Sequence, residues 1–140
     1  MPQVTSSYDI RIGPVIPVTV SDPFADRNPD EPPRTDTVRM LVDTGASDTS
    51  IAPDIVARLG LRVLGLHEVS GFSASEATYQ FIADLELHLD DGPYTLSDWR
   101  VLQFNTSYDK IDGLIGRDIL SRCRFFMDGI NRAFTLEFDA

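Results

Sequence analysis

The chain has 140 residues, 42% hydrophobic and 24% charged, proportions of an ordinary soluble protein with a single buried core. Asp and Glu outnumber Lys and Arg by 22 to 12, for a net charge of −10. With no basic stripe, that balance argues against a nucleic-acid ligand, and the acidity reads as a solubility feature. Cys123 stands alone, which excludes an intrachain disulfide, and no apolar run is long enough to span a bilayer.

Taken in order, the predicted elements are mostly strands. Ile10 to Val20 alternates apolar and polar residues in its second half and reads as a strand, and Gly13, Pro14 and Pro17 break any secretory h-region there. Residues 21–37 hold four prolines among many charges, which predicts a flexible loop. Val38 to Val42 is an apolar strand that runs into Asp43-Thr44-Gly45. Ser50 to Gly60 follows as a short helix, since Pro53 suits a first turn, Asp54 its positive end and Gly60 the position past its last turn. Leu61 to Ser70 and Ala77 to Leu89 are strands around the tip Gly71-Phe72-Ser73-Ala74-Ser75-Glu76. Pro93 to Phe104 is a long strand or strand pair carrying Trp99, expected in core or interface packing. Ile111 to Ile115 leads to Gly116, Arg117 to Arg122 is a second short helix, and Cys123 to Asp128 with Arg132 to Phe138 forms a hairpin.

Two stretches carry chemistry. The first is Leu41-Val42-Asp43-Thr44-Gly45-Ala46-Ser47, and the second is Leu114-Ile115-Gly116-Arg117-Asp118-Ile119-Leu120. A carboxylate that activates water for peptide hydrolysis must sit on a rigid turn, partly buried, beside a second carboxylate that shares its proton. Leu41 and Val42 anchor such a strand, Thr44 offers a hydroxyl, and Gly45 lets backbone pass close to a neighbour or a substrate. No other Asp in the chain is followed by Thr or Ser and then Gly, so one chain holds half of such a pair.

Together the stretches resemble the retropepsin-like aspartic proteases, the single-domain relatives of retroviral protease, over roughly Val38 to Phe138. The predicted helix after Asp43 leans toward the cellular and bacterial branch. The resemblance implies an all-β fold with two short helices, a closed acid-protease-like barrel equivalent to one half of a pepsin-type bilobal enzyme, with residues 1–140 as one domain. It implies Asp43 as the catalytic residue, Thr44 and Gly45 as the base beneath it, and Gly116 and Arg117 as supports of the active-site loop. Arg117 is then expected to pair with acid or backbone groups near the catalytic turn. Ala46, Ser47 and Asp48 fall along the substrate groove, while Gly71 and Phe72 fall in the flap that closes over a bound peptide. Retroviral members carry an acid where this chain has Ser47, have glycine-rich flap tips where it has Gly71, and are shorter at 21–37 and at the C-terminus.

The expected activity is therefore aspartic endopeptidase, with a homodimer joining two Asp43 carboxylates around one water and with no metal or organic cofactor. A peptide or protein is the expected substrate and apolar side chains its default preference. Neither nucleic acid nor membrane is expected as a partner. The alternative is a catalytically silent module of the same fold that binds peptides or dimerises; two crowded carboxylates cost stability, and a binding module has little reason to keep them. His67 and His88 lack further ligands for a metal site. Asp90-Asp91-Gly92 is a turn, not a calcium loop, and Ser47 lacks a nucleophile elbow. The unpaired Cys123 and the absence of a secretory pattern predict a cytoplasmic protein, in which the glycosylation pattern Asn105-Thr106-Ser107 has no role.

Overall fold

The computed structural model describes residues 2–24, 30, 34–70, 75–104 and 110–139, without the side chains of 67–70 and 75–77. Alternation builds the first layer. In β2 (Val15–Ser21), Ile16, Val18 and Val20 point inward, and in β3 (Thr35–Val42) Val38, Met40 and Val42 do the same. The two pair antiparallel from Val15↔Leu41 to Ser21↔Thr35, so both apolar sets share one face. This pairing corrects the loop read over 21–37, because β2 keeps Ser21 and β3 already starts at Thr35. Thr35, Thr37 and Arg39 on the exposed face of β3, with the polar Asp36 on the inner one, hid the period-2 pattern at its start.

Three further elements follow β3: β4 (Ser50–Ile51), α1 (Pro53–Leu59) and β5 (Arg62–Ser70). Ser50 and Ile51, read as the helix start, are a strand instead. They pair with β7 on one side and β8 on the other, and Pro53 opens the helix two residues later. At its far end Gly60 adopts φ 60°, a left-handed cap, and its N–H bonds to the Ala57 carbonyl. Ile55, Val56 and Leu59 are buried.

The remaining elements are β6 (Ser75–Leu89), β7 (Gly92–Gln103), β8 (Gly113–Ile115), α2 (Arg117–Leu120), β9 (Cys123–Asp128) and β10 (Ala133–Phe138), preceded in the chain by β1 (Gln3–Ser7). Strands order as β2-β3-β8-β4-β7-β6, and an extra β2–β6 pairing joins the ends into a closed six-stranded barrel. The fold is mostly β with two short helices, as the resemblance implied. β5 hangs on the outer half of β6 and forms a hairpin arm beyond the barrel, with irregular register at Gly65. A small sheet, β1-β10-β9, packs Val4, Phe134, Leu136 and Phe138 onto the barrel core. None of the described helices is long and apolar enough to cross a membrane.

Candidate active site

The site forms where β8 threads between β3 and β4. β3 runs parallel to β8 (Met40↔Gly113 to Val42↔Ile115), and β4 returns antiparallel on the other side of β8. The chain from Asp43 to Thr49 must therefore loop over the end of β8, and that loop carries the Asp-Thr-Gly triplet. Its two anchors are backbone bonds: Val42 N–H donates to the Pro14 carbonyl at 2.8 Å and Asp43 N–H to the Ile115 carbonyl at 3.0 Å.

Asp43 then makes its own turn. Gly45 N–H donates to Asp43 Oδ1 at 2.9 Å and Ala46 N–H to the Asp43 carbonyl at 3.2 Å, which orients the half-buried carboxylate from below. A Cβ on Gly45 would lie 3.1 Å from that same Oδ1, close enough to press on the carboxylate. Thr44 is exposed, and its carbonyl accepts Arg117 Nη1–H at 2.8 Å. Of the two expected classes of partner for Arg117, acid or backbone, this bond is to backbone.

The rest of the loop docks on α2, which has no side-chain cap at Gly116. Its orphan first-turn donors are met by the loop: Arg117 N–H bonds to the Ala46 carbonyl at 2.8 Å and Asp118 N–H to the Ser47 carbonyl at 3.2 Å. Gly116 permits that approach, since a Cβ there would stand 2.5 Å from the Asp48 carbonyl carbon. Ser47 is exposed and its hydroxyl bonds Asp48 Oδ2 at 3.0 Å, while Asp48 Oδ1 pairs with Arg100 Nη2 at 2.5 Å. Gly71 and Phe72 lie outside the described residues, as does Asn105-Thr106-Ser107.

Asp118, which the second stretch contains but to which the sequence reading gave no role, and Arg100, which it did not single out, hold this arrangement. Asp118 Oδ1 accepts the hydroxyl of fully buried Thr49 at 2.7 Å, and its Oδ2 accepts Trp99 Nε1–H at 3.0 Å. Thr49 Oγ1 in turn accepts Gly116 N–H at 3.2 Å. The hints for Asp118 were its place in the second stretch and in the first turn of a predicted helix. Arg100 likewise bridges Asp48 to Gln80 Oε1 of β6 at 3.2 Å. Burial pushes the thiol of Cys123, at the start of β9, up to about 11, so it stays protonated and unreactive at neutral pH. Among the described residues no group of three His, Cys, Asp or Glu side chains could hold a metal ion.

Asp43 thus sits on a turn at the end of a parallel strand pair, with the Gly116-Arg117 helix start docked on its loop. The model of the family described as aspartyl protease matches residues 16–119, which include Asp43, β8 and the start of α2. The chain belongs to this aspartyl protease family. Among solved structures it is similar to a retropepsin-like aspartic protease from Rickettsia conorii, with 14% identity and a TM-score of 0.62 over 97% of this chain and 90% of that one. It is also similar to EIAV protease complexed with the inhibitor HBY-793, with 18% identity and a TM-score of 0.51 over 83% of this chain and 92% of that one. No curated protein matched the sequence. At such identities the structural likeness speaks for the barrel and not for a substrate.

Proposed function

We propose that this retropepsin-like chain is an aspartic endopeptidase whose catalytic dyad forms when two copies bring their Asp43 carboxylates together. The observation that carries the reading is the Asp43 turn itself, with one carboxylate oriented by Gly45 N–H and backed by α2, present once per chain. Two carboxylates a few ångströms apart hold one proton between them. The ionised member takes a proton from a bound water, whose oxygen attacks the scissile carbonyl as the protonated member donates to the carbonyl oxygen. Collapse of the tetrahedral intermediate breaks the C–N bond, and the proton taken from water passes to the leaving amine. The reaction consumes one water and needs no metal or organic cofactor.

In this reading Thr44, Gly45, Gly116 and Arg117 hold the dyad in place, and Ala46, Ser47 and Asp48 border the peptide groove. Gly71 and Phe72 belong to the flap. The substrate is a peptide or protein, with apolar side chains favoured by a groove of this type. The unpaired Cys123 suits a reducing, cytoplasmic setting.

The test is digestion of an unbiased peptide library from acid to neutral pH by wild type and by Asp43→Asn and Asp43→Ala. Loss of a general base of this kind is expected to slow cleavage by about 10²–10⁴-fold or more while the fold persists. Cleavage retained by a clean Asp43→Ala preparation would overturn the assignment. A folded dimer that cuts nothing at any pH would point to the silent binding module.

A further inference from the structure

The active-site loop and α2 carry the charged side chains Asp43, Asp48, Arg117 and Asp118. Asp43 is the proposed catalytic group. Asp118 directs its two oxygens to Thr49 and Trp99, and Arg117 donates to the Thr44 carbonyl. Asp48 is the further acid of the loop, and its place is fixed, because its backbone lies against Gly116, where a Cβ would stand 2.5 Å from the Asp48 carbonyl carbon. An acid at the rim of a peptide groove attracts a basic side chain of the substrate. Here the acid already has a cation. Asp48 Oδ1 pairs with Arg100 Nη2 at 2.5 Å and Asp48 Oδ2 accepts the Ser47 hydroxyl at 3.0 Å, leaving the Asp48 side chain 17% exposed against 43% for Arg100.

We propose that Arg100 is a specificity-determining residue: it cancels the charge of Asp48, so the groove takes peptides with a neutral or acidic side chain where they pass this acid and gains nothing from a basic one. The inference rests on the reading of Ala46, Ser47 and Asp48 as the border of the peptide groove, and it names the chemistry of the side chain met there. Arg100 comes from β7, a barrel strand paired with β6 on one side and β4 on the other, and not from the loop. Its Nη1 also donates to Gln80 Oε1 at 3.2 Å. A planar guanidinium held from two sides keeps its geometry when a peptide arrives. To a lysine ammonium in the groove, the attraction of the carboxylate and the repulsion of the guanidinium nearly offset, and freeing the acid would break a charge-assisted bond.

Ser47 works in the same direction, since the residue beside Asp48 offers a hydroxyl, and that hydroxyl is itself directed at Asp48. Besides Asp43, the loop and α2 therefore present one cancelled acid and, at Arg117, a cation whose described side-chain bond is to a backbone carbonyl. The protein as a whole carries a net charge of −10, a field that draws basic peptides at long range whatever the order of their residues. The Asp48–Arg100 pair acts locally and against that field. The position of a lysine in a peptide, and not the peptide's net charge, separates the two effects.

The test is cleavage, by the full chain, of peptides of identical composition in which one lysine is moved through each position on both sides of the scissile bond. Identical composition keeps the long-range attraction constant. Wild type is expected to gain nothing in kcat/KM from lysine at any position. Arg100→Met is expected to gain about three- to tenfold at the position that meets Asp48, and to lose the gain at high salt and in Arg100→Met/Asp48→Asn. Arg100→Lys, which keeps the cation, should rank the peptides as wild type does. Asp48→Asn gives the mirror image: with glutamate moved in place of lysine, it should gain at that same position. A merely structural role for Arg100 would slow all peptides alike. Unchanged ranking in both Arg100→Met and Asp48→Asn, with cleavage still dependent on Asp43, overturns the inference and leaves the endopeptidase reading standing. A wild-type preference for lysine that Asp48→Asn removes overturns it as well, because the acid would then read the substrate despite its partner. No Asp43-dependent cleavage by any form would remove the endopeptidase reading and this inference together.

Discussion

Asp118 spends one carboxylate on three parts of the molecule. It takes the Thr49 hydroxyl from the end of the active-site loop, the Trp99 indole N–H from β7, and the Ile119 N–H of its own helix at 2.9 Å. Arg122 adds a guanidinium 4.7 Å from the centre of the Trp99 ring. Removing the carboxylate leaves a buried hydroxyl and an indole N–H without their acceptor, each costing about 1–3 kcal/mol. Asp118→Ala is therefore expected to lose about 2–4 kcal/mol in urea unfolding. Asp118→Asn should lose about half as much, since its amide oxygen still serves Thr49 while its NH₂ cannot accept from Trp99. Equal losses for both variants would mean that packing, not acceptor chemistry, makes the residue matter. This scale also marks what could be read from the sequence. The turn at Asp43 is local, its bonds reaching two and three residues, so its letters announce it. The partners of Asp118 lie 69 and 19 residues away, and no local pattern announces those.

Elements were legible in proportion to how far their pattern is local. β5, β6, β7, β9 and β10 lie within three residues of where alternation, turns and apolar runs predict them. β1 went unread because Val4 is its single buried residue, and a strand with one inward side chain has no period. β4 is two residues long and exists only because β7 and β8 lie on either side of it. The hairpin arm of β5 and β6 was readable as two strands, but its link to the active-site loop was not. Gln80 of β6 donates to the Leu66 carbonyl of β5 at 3.1 Å and accepts from Arg100, which pairs with Asp48. One guanidinium thus ties the arm to the loop. Arg100 is partly exposed, so Arg100→Met is expected to cost under about 1 kcal/mol of global stability. Its expected effect is local: faster amide exchange at 62–66 and 78–82 than in wild type, with exchange in β2 and β3 unchanged. Unaltered exchange in the arm would show that its pairing with β6 suffices to hold it.

At the scale of the whole molecule, the barrel supplies rigidity, and in the proposed two-copy reading the pairing of copies supplies chemistry. Six closed strands fix Asp43 against β8 and α2, yet a single chain offers one Asp-Thr-Gly carboxylate. If the dyad needs two intact copies, activity must depend on composition in a way that no single-chain mechanism imitates. Wild type mixed with an equal amount of Asp43→Asn and allowed to exchange should give dimers in random proportion. About one quarter of all dimers then carry two intact carboxylates, against about one half of all chains that are intact. Peptide cleavage at fixed total protein should therefore fall to about one quarter of the unmixed wild-type rate as subunits exchange, from the half expected at the instant of mixing. The time course is as telling as the end point, because the decay must follow subunit exchange and slow when dimers are more stable. A rate that stays at half throughout would mean that each chain acts alone or that copies never exchange, and covalently linked dimers of known composition would separate those two cases.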